Sequence, residues 1–121
     1  MEKNKTLIIG ASVKPERYAY KAAEKLLAHK YDIYLIGNRP GQLFGKDIQK
    51  NLEPFEDVDT VTLYVSAKNQ TGYYDYIVSL HPRRVIFNPG TENPELESIL
   101  RKNDIEFEQA CTLVLLGTNA Y

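Results

Sequence analysis

Residues 6–17, Thr-Leu-Ile-Ile-Gly-Ala-Ser-Val-Lys-Pro-Glu-Arg, constrain the fold more than any other stretch. An apolar run from Thr6 to Ile9 stops at Gly10 and Ser12, and a helical pattern takes over from Arg17. This is the strand, tight turn and helix start with which α/β proteins hold phosphate groups. Glycine lets backbone approach an anion, and the unpaired N–H groups of a helix N-terminus point at it. The turn departs from the dinucleotide fingerprint G-x-G-x-x-G, because Ala11, Ser12 and Pro15 stand where further glycines are expected.

Apolar runs and helical patterns then alternate to the end of the chain. A helix over Arg17 to His29 carries Ala19, Ala22, Ala23, Leu26 and Leu27 on one stripe. A second strand over Ile33 to Ile36 runs into the turn Gly37-Asn38-Arg39-Pro40-Gly41. The region Gln42 to Asp59 is irregular, with a short edge strand near Lys46 to Ile48. Further on, the patterns predict a strand over Thr60 to Val65, a helix over Asn69 to Leu80 and a strand over Arg84 to Phe87. Asn93 and Pro94 open a helix with Leu96, Ile99 and Leu100 inward, and Ile105 to Glu108 and Thr112 to Leu116 read as the last strands. Crossovers of this length exclude hairpin pairing for most strands. The expected fold is therefore α/β: a doubly wound, mostly parallel sheet with helices on both faces, three layers deep.

The length of 121 residues suits one domain spanning 1–121, large enough to fold without disulfide or metal. A net charge of −1 gives no bulk attraction to nucleic acid or to an anionic membrane, so any cationic contact is local. Cys111 is the single cysteine, which excludes an internal disulfide. The polar opening residues and the lack of a long apolar run make a cytoplasmic location the expectation.

In an open α/β sheet, ligands sit at the carboxyl ends of the strands where strand order reverses. Four polar segments end there: Gly10-Ala11-Ser12, Asn38-Arg39-Pro40, Ser66-Ala67-Lys68 and Asn88-Pro89-Gly90-Thr91. Arg17 opposes the dipole at the start of its helix, a cost that a bound anion would offset. Arg39 stands where nicotinamide-binding sheets carry an acid for the ribose 2′-hydroxyl; an arginine there suits a phosphorylated ribose instead. The alternatives for these segments are an ordinary βα turn, a solvated arginine and a simple helix cap. Cys111 reads as a buried structural residue, since no cation stands near it in sequence. Neither His29 nor His81 has a spaced partner for metal or triad chemistry.

On Gly10-Ala11-Ser12, Arg17-Tyr18, Asn38-Arg39-Pro40 and Asn88-Pro89-Gly90-Thr91-Glu92-Asn93, the chain resembles a known family. It is similar to the CoA-binding, Rossmann-like domain of the succinyl-CoA synthetase alpha subunit, and more closely to small stand-alone bacterial CoA-binding proteins. The resemblance implies coenzyme A across the carboxyl edge of the sheet. Gly10, Ala11, Ser12 and Val13 would meet the pyrophosphate and pantetheine, and Arg17 would steady the phosphates. Arg39, flanked by Asn38 and Pro40, would meet the adenosine phosphate. Asn88, Pro89, Gly90 and Thr91 would line the other side, with Ser66 between. Ala110 departs from the pattern, because relatives often carry a basic residue before the cysteine. The synthetase's ligase part lies outside the resemblance, so ligase activity is not implied.

Two functions follow as expectations: a non-catalytic module for CoA or an acyl-CoA, or an NADP-linked oxidoreductase-like nucleotide-binding protein. The absence of an evident catalytic pair favours the first. Among partners, a nucleotide-like small molecule is expected, with no nucleic acid and no membrane; a homo-oligomer or an acyl-CoA enzyme as partner stays open.

Overall fold

The computed structural model describes residues 5–121. Strand β1 (Lys5–Ile9) leads through a loop into helix α1 (Tyr18–Ala28) and strand β2 (Asp32–Ile36). A small hairpin follows, β3 (Gly41–Leu43) and β4 (Lys46–Gln49), then β5 (Val58–Leu63). Two single 3-10 turns, Ala67–Asn69 and Thr71–Tyr73, precede α2 (Tyr74–Leu80). The chain continues through β6 (Arg84–Phe87), α3 (Pro94–Lys102), β7 (Glu106–Gln109) and α4 (Thr112–Gly117).

Among the described residues these strands form one seven-stranded sheet in the order β3-β4-β2-β1-β5-β6-β7. Every pairing is parallel except β3 with β4. Period-two alternation sends Leu7 and Ile9 to one face and Ile8 to the other, and all three are fully buried. On the first face α2 and α3 cover the sheet through Tyr76, Ile77, Leu96 and Leu100. The second face is covered by α1 through Ala19, Ala23 and Leu26, and by α4 through Leu116. The alanine stripe of α1 has no bulk to hold the helix away from the strands. The expected doubly wound, three-layer α/β architecture is the one observed.

Four readings of the sequence need correction. Thr112 to Leu116 forms helix α4, not a strand. A short apolar run cannot be told from a buried helical turn by periodicity, and here Asn88 decides. Its side-chain oxygen accepts from the Thr112 N–H at 2.9 Å, and Thr62 meets the Thr112 hydroxyl at 2.8 Å. Cys111 consequently precedes a helix rather than a strand, and it is half-buried, not buried. Strand β5 ends at Leu63, so Tyr64 and Val65 leave the ladder. Lastly, the helix expected from Asn69 begins only at Tyr74.

Candidate functional site

From the central pair β1 and β5 the chain winds outward in opposite directions, through β2 on one side and β6 on the other. The exit loops therefore diverge above that pair, leaving a cleft of about 530 Å³. One side of it is built by Gly10, Ala11, Ser12, Val13 and Lys14, together with Arg17, Tyr18 and Ala19 at the start of α1. Asn38, Arg39 and Pro40 contribute from the end of β2. Tyr64, Val65 and Ser66 follow β5, and Pro89, Gly90 and Thr91 follow β6.

Gly10 makes the first loop possible. It has φ +100°, and a Cβ there would lie 3.0 Å from both the carbonyl carbon and the oxygen of Tyr64. The N–H groups of Gly10 and Ala11 both donate to the Ile36 carbonyl, at 2.8 and 2.9 Å. Those two amides are thus spent on tying the loop to β2, and a ligand cannot have them. The Ser12 hydroxyl oxygen accepts from the Lys14 N–H at 3.1 Å, which shapes the approach to α1. Arg17, at the N-cap in extended conformation, makes no side-chain cap bond, and no acid stands in the first turn. The N–H groups of Tyr18, Ala19 and Tyr20 have no acceptor within their own helix. Helix α3 is built differently: Asn93 accepts from the N–H groups of Glu95 and Leu96, and Pro94 follows.

Charge separates this cleft from another hollow of the surface. Lys14, Arg17 and Arg39 line the cleft, and among the described residues no Asp or Glu does. All three cations are exposed and, among the described residues, none forms an ion pair. A second hollow of about 730 Å³ lies beside β7 and α3 and is lined by Arg83, Arg84 and Arg101. Its arginines are already engaged: Arg83 with Asp59, Arg84 with Glu108, and Arg101 over the Phe107 ring. Asp104, Glu106 and Glu108 balance their charge. Size alone favours the second hollow; available charge favours the first, and charge decides for an anionic ligand.

Burial pushes Tyr64 up to about 12, partly offset by the neighbouring Thr112 and Thr62 hydroxyls. Those two are hydrogen-bonded to each other, and Thr62 also accepts from Asn88. Among the described residues neither forms a geometrically sound bond to the buried Tyr64 hydroxyl. It is therefore neutral at physiological pH. Removing an unsatisfied buried hydroxyl costs little, so Tyr64→Phe is expected to change stability by less than about 1 kcal/mol, or to raise it. Because the folded value lies above the ordinary 10, the Tyr64 contribution is complete below pH 10 and is lost as pH rises through about 12. Urea titrations of both proteins at neutral and alkaline pH check this: the variant should lose less stability above pH 10. A loss of several kcal/mol at pH 7 would show that the hydroxyl has a partner.

Comparison with protein families gives a match to the CoA binding domain over residues 4–117. The chain belongs to that family. Curated proteins give no match. Among solved structures, an uncharacterized protein is 49% identical over the whole of both chains, with a TM-score of 0.96. A Thermus thermophilus protein is 20% identical, covering 98% of this chain and 91% of its own, with a TM-score of 0.83. The dinucleotide-forming acetyl-coenzyme A synthetase 1 of Ca. Korarchaeum cryptofilum, solved with phosphate and ADP, is 17% identical. That match covers 88% of this chain and 25% of the synthetase, with a TM-score of 0.74. The last two likenesses show the fold alone.

In this CoA binding domain the cleft gathers every site residue expected from the sequence except Asn88. The Asn88 side chain is buried and wholly occupied within the protein. Its amide nitrogen donates to the Thr62 hydroxyl at 2.6 Å and to the Leu63 carbonyl at 2.9 Å, while its oxygen holds α4. Asn88 is an internal brace, not a lining residue. The Thr91 hydroxyl is also spent, donating to the Asn88 carbonyl at 2.8 Å. Lys14, Tyr18, Ala19, Tyr64 and Val65 line the cleft without having been expected. Of these Lys14 had a sequence signal, a cation in the turn before α1, and Tyr18 stood among the residues that carry the family resemblance.

Proposed function

We propose that the cleft above β1 and β5 binds coenzyme A or an acyl-CoA, and that the domain performs no chemistry on it. The observation that carries this reading is the set of three cations, Lys14, Arg17 and Arg39, around an uncapped helix N-terminus, with no ion pair and no lining carboxylate among the described residues. Such an arrangement suits a ligand with several phosphate groups. Membership of the CoA binding domain family supports CoA as that ligand. A fold relative, the acetyl-coenzyme A synthetase, carries a similar fold within a larger enzyme.

The cleft divides by charge. Its cationic side, Ser12, Val13, Lys14, Arg17 and Arg39, would take the pyrophosphate and the ribose phosphate. Since Gly10 and Ala11 have no free N–H, the diphosphate would be held by the N–H groups of Ser12 and Val13 and by the first turn of α1. The neutral side, Val65, Ser66, Pro89, Gly90 and Thr91, suits the uncharged amides of pantetheine. Among the described residues no His, Cys, Asp or Glu lines the cleft. Its titratable groups are Tyr18, Tyr64 and the three cations, which we assign to the phosphates, and a binding role is the reading we adopt.

A thermal-shift series tests this. Ligand at about 100 times its Kd stabilises by roughly 2.7 kcal/mol, which for a domain of this size is on the order of 10 °C. CoA should give that rise, dephospho-CoA a smaller one, and NAD or NADP little. A rise with NADP and none with CoA would replace the proposal with a dinucleotide site.

A further inference from the structure

We infer that Gln70 is a positioning residue that holds the neutral side of the cleft at the spacing pantetheine requires; the inference rests on the CoA reading above. Gln70 is fully buried, yet it sits in a surface connection between the two 3-10 turns. Its side-chain nitrogen donates to two backbone carbonyls, Val65 at 2.9 Å and Thr91 at 2.8 Å. Both residues line the cleft, and they belong to different exit loops. Its side-chain oxygen accepts from Asn93 Nδ2 at 2.9 Å, and the Asn93 oxygen in turn caps α3. Two carbonyls flanking one terminal atom require that atom to be nitrogen, so the orientation of the amide follows from its surroundings.

The amide thus joins three elements that the sheet alone does not lock together above the strand ends. Strands β5 and β6 pair through Leu63 and Phe87. Past those residues no backbone bond joins the loop after β5 to the loop after β6, among the described residues. The crosslink there is the Gln70 side chain, with a second link from Asn93 to the Tyr74 hydroxyl at 2.8 Å. Both donors of the amide are used, so the clamp has no slack to lose.

None of the three cations touches this network. The clamp should therefore govern the pantetheine part of the ligand and leave the nucleotide part alone. That separation distinguishes positioning from general support of the fold, which would affect both parts together. The experiment compares two probes by calorimetry: CoA, and adenosine 3′,5′-bisphosphate, which carries phosphorylated adenosine without pantetheine. Gln70→Met keeps the length and removes the amide. It should weaken CoA by about tenfold, the equivalent of roughly one hydrogen bond of ligand contact, and change the bisphosphate by less than about twofold. If Gln70→Met does not fold, Asn93→Asp serves instead. It retains a capping oxygen for α3 and replaces the donor to Gln70 with a carboxylate oxygen, and the same selective loss is expected. Equal losses for the two probes, or no loss for either, overturn the clamp while leaving the CoA reading in place. Wild-type protein that binds neither probe overturns the CoA reading, and the clamp with it.

Discussion

Replacing Arg17 and Arg39 together by alanine is expected to weaken CoA binding about a thousandfold while leaving the fold intact. A hydrogen bond to a charged partner contributes roughly 1.5–3 kcal/mol. If each guanidinium meets a different phosphate, the two losses add, to about 4 kcal/mol, and each 1.4 kcal/mol is about tenfold. The fold should tolerate the change because both side chains are exposed and, among the described residues, neither forms an ion pair. Alanine at position 17 also removes a cation from the end of the helix where the dipole disfavours one. The single variants separate the roles. Arg39→Ala should cost CoA more than dephospho-CoA, because the ribose phosphate is the group it is proposed to read. Arg17→Ala should cost both equally. Calorimetry at physiological ionic strength, with a urea melt on each variant, checks all of this. A double variant whose Kd stays within about threefold of wild type would place the phosphates elsewhere.

The architecture was legible because its signals are local and repeated. Thr6 to Ile9, the alanine stripe of α1, and the Asn93-Pro94 start of α3 each declare their element without reference to the rest of the chain. The cleft was legible at the level of loops, since the loops leaving the two central strands must part where the winding reverses. What the sequence hid were side chains whose partners lie far along the chain. Asn88 reads as a loop asparagine facing a ligand, but Thr62 and Thr112, 26 and 24 residues away, turn it inward. Gln70 falls inside the helix expected over Asn69 to Leu80, and nothing in that local pattern tells that the Val65 and Thr91 carbonyls lie to either side of its amide. The segment Thr112 to Leu116 reads as a strand from its apolar run, and tertiary hydrogen bonds at its first residue make it a helix instead. Lys14 was open to reading: a second cation in the same turn strengthens the anion argument that Arg17 begins.

Gly37→Ala is expected to be the most damaging single small substitution, although it adds one methyl group. The residue is buried at the end of β2, and a Cβ built there lies 2.5 Å from the Ala11 carbonyl oxygen and 3.0 Å from Ile48 Cγ2. The first neighbour is backbone, so it cannot swing aside like a flexible side chain. Moving it would pull on the bonds that the Gly10 and Ala11 amides make to the Ile36 carbonyl. Moving β2 instead would strain the Gly37 N–H bond to the Gln49 carbonyl, 3.0 Å, and the contact with β4. Overpacking of this kind costs about 1–3 kcal/mol, and with no route for relaxation the upper end applies. In a domain of this size that lowers Tm by on the order of 10 °C. The phosphate side of the cleft should suffer beyond the loss of stability, because the loop that forms it is the part displaced. Gly117→Ala is the control. It lies in α4, and its Cβ would meet nothing within 4 Å, so alanine there should be neutral or stabilise by roughly 0.4–1 kcal/mol. Calorimetric melting of both variants, with CoA affinity measured well below either Tm, decides the point. A Gly37→Ala protein that melts like wild type would mean that the β1–α1 loop is free to move, and a loop free to move could not hold its amides ready for a diphosphate.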